Sequence, residues 1–516
     1  MRPVKAVLLA AVASVLALGT ARADVKPHPI FSNNMVLQQG TDVVVWGKAD
    51  PDEAVGVELT RKTTGAAAAS GGSTKADKDG NWKVKLGKQE AGTGYALKVK
   101  GAKNTVEFTN VAVGEVWVCS GQSNMQWEFW RGNLGEQSKT VPAASKNPNI
   151  RLMTLQRVTA TTPQYAFPVV TVPREGTNGP TAPQVHYGTW LECDQPSVQE
   201  FSVVAYYFGR DLEKALKVPV GLIVNSWGGM PCEAYTSLEA LDAEPSLKYL
   251  ADRARAAAKQ FEADKKPAGP STPTVLYNSM IHPIINFPVK GAIWYQGESN
   301  TGRAYEYRTL FPTMIKDWRA RWHSDLPFMA VQLAPFGNGK GNSGGVTYAE
   351  LRDAQLHATK VLPKVGLAVI TDAGNETDIH PAKKEPAGAR LALAARALAY
   401  GEKIVYSGPL YKDVKFASGA ATLSFDSVGG GLVAKDGDLV GFTIAGKDGK
   451  FVPAKATIKG DTVVVSSEMV PGPTAVRYGW VNFASPTLNL FNKEGLPASP
   501  FRTDDLPLTT MPKPKN

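Results

Sequence analysis

Apolar and polar positions change their period twice along the chain, which divides it into three stretches. From residue 24 to about 110 the period is two. Residues 43–46, 55–59, 82–86 and 95–99 are short runs rich in Val, Leu, Trp and Tyr, several alternating strictly. Turn clusters such as Asp79-Gly80-Asn81 and the Ala/Ser/Gly-rich stretch 65–72 separate them. Short strands at this spacing predict a small β-sandwich over 24–110. It carries no acid/base cluster, so a supporting or carbohydrate-contacting role is expected of it.

From about residue 111 strands alternate with helices. Val116, Trp117, Val118 and Cys119 form an apolar run of strand length. Residues 131–200 are rich in Pro, Gly and Thr and read mainly as loops overhanging the strand ends. Phe201, Val204, Ala205, Phe208, Leu212, Ala215 and Leu216 then fall at helical spacing. Further strands are predicted over 218–224, 289–295, 327–333 and 365–371, with helices over about 238–262, 303–322, 347–360 and 384–400. The alternation predicts a three-layer α/β/α fold over 111–405, a doubly wound parallel sheet with helices on both faces. Beyond 405 the short period returns in 422–425, 439–444, 455–458 and 462–465. A second β-sandwich-like region is expected over 406–516.

At 516 residues the chain is too long for one ordinary core. Its first 23 residues have a basic start (Arg2, Lys5), an apolar run from Ala6 to Leu18 and the ending Ala21-Arg22-Ala23. These are the parts of a signal peptide, so an exported protein, periplasmic or extracellular, is expected. No later stretch is apolar for the ~20 residues of a membrane span. The formal charge of +10 falls to +7 once Arg2, Lys5 and Arg22 are removed. The remaining basic residues are scattered, apart from a Lys-Pro tail at Lys513 and Lys515, which gives no footprint for nucleic acid. Three cysteines, Cys119, Cys193 and Cys232, make no disulfide framework in an exported chain this long. Cys119 is expected as a packed thiol, while pairing of Cys193 with Cys232 is left open. There is no H-E-x-x-H and no C-x-x-C, and neither metal nor cofactor is expected. The oligomeric state is also left open.

In an open α/β sheet the ligand lies beyond the carboxyl ends of the strands. Four chemically suggestive clusters fall there: Ser120-Gly121-Gln122-Ser123, Trp227-Gly228-Gly229, Gln296-Gly297-Glu298-Ser299-Asn300 and Asp378-Ile379-His380-Pro381. Ser123 sits at a strand-to-loop corner suited to presenting a nucleophile, and a serine alcohol needs an adjacent base. Of six histidines, only His380 combines a strand-end loop with a carboxylate two residues away. Asp378 is therefore the favoured third member of a Ser-His-carboxylate set, with Glu298 its rival. An oxyanion hole would draw on backbone N–H groups at Ser123 and Gly228-Gly229 and on a side-chain amide from Gln296 or Asn300. No G-x-S-x-G elbow surrounds Ser123, which argues against the α/β-hydrolase family. Trp127, Trp227, Trp294 and Tyr295 are open to either sugar stacking or core packing.

SGQSNM, WGG, WYQGESN and DIHP, in this order, resemble the blocks of the sialate O-acetylesterase family within the SGNH hydrolases. FSNNMVLQ, VPVGLIVNSWGG, PTVLYNSM and PFMAVQLAPF extend the match over most of residues 30–400. The resemblance implies a flavodoxin-like SGNH domain with Ser123 as nucleophile, His380 as base and Gly229 or Gly228 as the block-two glycine. Gln296 stands where the superfamily has an asparagine, and its amide is expected to replace that residue in the oxyanion hole. The usual acid lies three residues before the histidine; here that position is Thr377, and the acid is Asp378. The implied reaction is removal of O-acetyl groups from sialic acids or related acetylated sugars, acetylated xylan included. The alternative is a non-catalytic secreted carbohydrate-binding protein, against which the intact Ser, His and carboxylate set stands.

Overall fold

The computed structural model of the protein describes residues 24–61, 68–337 and 342–512. The predicted signal peptide, the Lys-Pro tail and part of the 65–72 stretch lie outside them.

One strand organises the rest: β1 (Thr105–Gly121), 17 residues long. Its first half pairs antiparallel with Gly92–Lys100 in the N-terminal β region. Its second half enters a parallel sheet, beside Val220–Ser226 on one edge and Gly291–Tyr295 on the other. The expected domain limit at 110/111 thus falls within a continuous strand that changes partners around residues 112–115. A burial pattern that switches from alternating to continuous along β1 records the change. A strand covered on one face alternates, and one covered on both does not.

The sheet contains β2 (Asn147–Thr154), β3 (Leu191–Cys193), β4 (Val220–Ser226), β5 (Gly291–Tyr295), β6 (Phe328–Val331) and β7 (Val365–Ala368). The order is β3-β2-β4-β1-β5-β6-β7, with β3 antiparallel and the others parallel. Four of the five predicted strands lie within or overlap β4 to β7, and the fifth is the second half of β1. β2 and β3 come from the stretch read as loops, which is a correction. β2 carries only Ile150, Leu152 and Met153 as large apolar residues, behind Asn147-Pro148-Asn149, too few to stand out as a run.

Period two along these strands sorts their side chains onto two faces. Trp117, Cys119, Leu222, Val224, Ile293, Tyr295 and Met329 pack on one side with α2 (Val203–Leu216) and α6 (Glu385–Tyr400). Val116, Val118, Ile223, Ala292, Trp294 and Phe328 pack on the other with α3 (Lys248–Asp264), α4 (Ala304–Arg321) and α5 (Thr347–Val361). The chain is therefore a mixed α/β protein with a large mixed sheet. Trp294 and Tyr295 are fully buried in these cores, so they are packing residues and not sugar platforms.

The N-terminal strands Asp42–Lys48, Ala54–Arg61, Asn81–Lys88 and Gly92–Lys100 cover the four predicted runs. After α6, two four-stranded sheets share a core that includes Leu423, Ile444, Val463, Val476 and Leu490. All three cysteines are free and buried, so Cys193 and Cys232 do not pair. Cys119 is the packed strand thiol expected. No helix among the described residues is long and apolar enough to cross a membrane.

Candidate active site

β1 ends at Gly121, whose φ of +139° belongs to glycine. A Cβ there would collide with the Tyr295 carbonyl oxygen at the end of β5. The corner is tied on both sides: Gln122 N–H donates to Tyr295 O (2.9 Å), and Tyr235 Oη–H donates to Gly121 O (2.8 Å). Ser123 then opens the single turn α1 (Ser123–Gln126). Its hydroxyl lies 2.9 Å from His380 Nε2, across 257 residues of sequence. The chain visits β4 on one side of β1 before crossing to β5 on the other, so Ser123 stands where the direction of winding reverses.

His380 is half-buried and held on several sides. Its ring stacks on Trp127 at 4.2 Å between centroids. Asn133 Nδ2 donates to His380 O (2.6 Å) and Asp378 Oδ2 (3.2 Å), while Asn133 Oδ1 accepts from Trp127 Nε1 (2.8 Å). Asp378 Oδ1 accepts the His380 backbone N–H at 2.8 Å but lies 3.8 Å from Nδ1. That is an ion-pair distance, longer than a hydrogen bond. Burial, then the charge of Lys384, holds the His380 pKa below the usual histidine range, against the Asp378 carboxylate, which raises it. The tautomer whose Nε2 accepts from Ser123 carries its ring proton on Nδ1, on the side of Asp378.

The other five histidines have different partners. His28 is buried, pushed down to about 4 by desolvation, and bonded to Tyr165 O (3.0 Å). His186 meets Thr171 Oγ1, His282 meets Gln164 O, and His357 lies beside Arg308. His323 closes α4 with φ of 48°.

The two candidate amides from the third cluster are committed elsewhere. Gln296 Nε2 donates to Asn300 Oδ1 (2.7 Å) and Met230 O (3.3 Å), and its Oε1 accepts from Tyr307 (2.9 Å). Asn300 Nδ2 donates to Glu233 (3.0 Å), and Asn300 Oδ1 also accepts from Cys232 N–H (3.0 Å). Both are fully buried, and neither lines the cavity at Ser123. The amide expected in an oxyanion hole thus has its hydrogens spent on a structural network. Glu298 is likewise bonded elsewhere. Its Oε1 accepts from Asn124 Nδ2 (2.6 Å), and burial raises its pKa.

Gly228 is the glycine that approaches the nucleophile: a Cβ there would sit 3.2 Å from Ser123 Cβ. Its N–H donates to Gln126 Oε1 at 2.8 Å, an acceptor position beside Ser123. Gly229 follows with φ of +76°, has open space around its Cα, and is exposed. Ser123, His380, Trp127, Trp227, Arg131 and Arg157 are among the residues lining a cavity of about 310 Å³. Arg131 bonds Glu128 and Glu175, so the cavity wall carries both signs of charge. Asn133, Gln126 and Arg157 were not legible as site residues. They lie on or beside the stretch read as loops, without a periodic pattern to place them. Among the described residues no group of three or more His, Cys, Asp or Glu side chains is arranged to hold a metal ion.

Comparison with known proteins shows the family. A family model described as carbohydrate esterase, sialic acid-specific acetylesterase, matches residues 113–395. The sialate O-acetylesterase of Homo sapiens is 30% identical over 412 residues, covering 75% of this chain and 73% of that protein. That of Pongo abelii is 29% identical over 485 residues, covering 88% and 87%. The crystal structure of a carbohydrate acetylesterase from Xanthomonas citri superposes with a TM-score of 0.79 at 37% identity, covering 93% of this chain and all of that one. Together these likenesses define an esterase acting on carbohydrates. The chain belongs to the sialic acid-specific acetylesterase family of carbohydrate esterases.

Proposed function

We propose that the protein is an exported serine esterase with an SGNH-type α/β/α domain that removes acetyl groups from O-acetylated sialic acid or related acetylated sugars. The 2.9 Å contact between Ser123 Oγ and His380 Nε2, inside a cavity large enough for an acetyl ester, carries this reading. His380 takes the Ser123 proton as the oxygen attacks the acetyl carbonyl carbon. The same proton then passes to the departing sugar oxygen, leaving an acetyl ester on Ser123. A water, deprotonated by His380 in turn, releases acetate. Asp378 favours the tautomer with the proton on Nδ1 and stabilises the imidazolium across 3.8 Å.

Negative charge forming on the carbonyl oxygen is met by backbone N–H groups of Ser123 and Gly228, the latter holding Gln126 Oε1 in that position meanwhile. The open turn at Gly229 leaves room for the sugar. Export rests on the basic start, apolar run and Ala-Arg-Ala ending of residues 1–23. A panel of acetylated sialosides, acetylated xylan and longer-chain esters tests the substrate class. Release of acetate from the sugars, abolished in Ser123→Ala, is the expected result; preference for long acyl chains would refute it.

A further inference from the structure

Directly behind Ser123 and His380 lies a buried polar cluster that the reaction above does not use. Asn124, the neighbour of Ser123, is fully buried and makes three side-chain hydrogen bonds. Its Nδ2 donates to Ile379 O (3.0 Å), the residue before His380, and to Glu298 Oε1 (2.6 Å). Its Oδ1 accepts from Lys384 Nζ. Lys384 is itself 1% exposed, and its Nζ lies 5.6 Å from the centre of the Trp127 ring, the ring stacked on His380. Glu298 Oε2 is buried without a hydrogen-bond partner.

We propose that Lys384 is a positioning residue for this site: through Asn124 it clamps the turn bearing Ser123 to the loop bearing His380. The role rests on the Ser123–His380 reading. Three observations converge on it. Lys384 caps the N-terminal end of α6, where the helix dipole disfavours a cation, so helix stability does not account for it. Lysine is almost never fully buried unless paired, and the pairing here runs through an amide that touches both halves of the site. The charged groups facing the imidazole are Lys384 from the head of α6, Arg131 from the stretch after α1 and Asp378 from its own loop. Both cations oppose a proton on His380, and the carboxylate favours one.

Burial lowers Lys384 to about 7, against the raising effects of Glu298 and Asp378. Below that pH the ammonium is charged and resists protonation of His380; above it the neutral amine still donates to Asn124. The clamp therefore persists at every working pH, while the electrostatic bias acts on the acid side.

The test compares kcat, KM and the acid limb of kcat/KM for wild type, Lys384→Met, the double variant Lys384→Met/Glu298→Gln and Ser123→Ala on an acetyl ester. Lys384→Met should lower kcat by up to about 10²-fold with KM little changed, as misalignment does. It should also move the acid limb to higher pH. The double variant removes both buried charges and keeps an amide beside Asn124, so it is read in the same way if the single variant folds poorly. An unshifted limb in the folded variant, or a raised KM with kcat intact, overturns the role of Lys384. Turnover surviving in Ser123→Ala would instead strike the proposed site itself.

Discussion

The hydroxyl of Ser123 and the imidazole of His380 meet only because a sheet end and a distant loop are brought together. Removing the hydroxyl leaves the corner intact, since Gln122 and Gly121 make its ties through the backbone. Ser123→Ala should therefore fold normally and lose about 10⁴-fold or more in kcat, measured by acetate release. Asp378 raises the His380 pKa, and its side chain is 43% exposed, so solvent weakens that effect. Asp378→Asn should thus cost less than His380→Ala, and it should move the acid limb of kcat/KM to lower pH. The sign follows because His380 must be neutral to act, and losing the carboxylate lets it stay neutral at lower pH. An acid limb that rises, or a loss equal to that of His380→Ala, would make the carboxylate's role different. Gln296 separates reading from structure at this scale. Its position after a strand was legible, but its partners were not: Tyr307 lies in α4 and Met230 in another loop. Gln296→Ala should leave the Tyr307 hydroxyl short of an acceptor and destabilise the fold by about 1–3 kcal/mol, seen in chemical denaturation. A fall of ~10²–10³ in kcat without loss of stability would restore it to the oxyanion hole.

At the level of elements, the parallel strands were legible because burial on both faces makes apolar runs, as in Val116-Trp117-Val118-Cys119. β2 was not, since its hydrogen bonds to β4 decide its structure more than its three apolar residues do. The same tertiary dependence hid Asn133 and Arg157, whose segments lack a period. Gly121 was legible as a turn residue, though not the reason it must be glycine. Gly121→Ala would need a left-handed φ and would press on the Tyr295 carbonyl, a backbone atom that cannot swing aside. The expected cost is on the order of several kcal/mol in urea unfolding, together with loss of activity from a displaced Ser123. A variant as stable and active as wild type would show that the corner tolerates a Cβ.

Across the whole molecule, the three stretches seen in the sequence are less separable than their patterns suggest. β1 belongs to both the N-terminal β region and the parallel sheet, and no linker divides them. The C-terminal β region is fastened to α5. Thr509 and Thr510 donate backbone and hydroxyl hydrogens to Glu350, and Ser499 accepts from Gln332. Arg352 is the centre of this seam. It is fully buried, and desolvation lowers its pKa to about 10. Its guanidinium donates to Leu333 O (2.7 Å), Val481 O (2.8 Å) and Asn482 O (2.9 Å). Three residues further along α5, Gln355 donates to Gln296 O (3.0 Å) and Val331 O (3.2 Å), so the seam backs directly onto the strand ends that frame the site. Arg352→Met keeps much of the side-chain volume and leaves Leu333 O and Val481 O without their donor, each costing about 1–3 kcal/mol if it stays dry, while Asn482 O keeps the Phe336 N–H (3.1 Å). The variant should unfold at a markedly lower temperature. Limited proteolysis should also cut first between α6 and the C-terminal sheets, because their shared seam has been opened. If unfolding and the first cleavage site match wild type, the C-terminal region is held by its apolar contacts and by the Glu350 and Gln332 hydrogen bonds, and the guanidinium is dispensable to the seam.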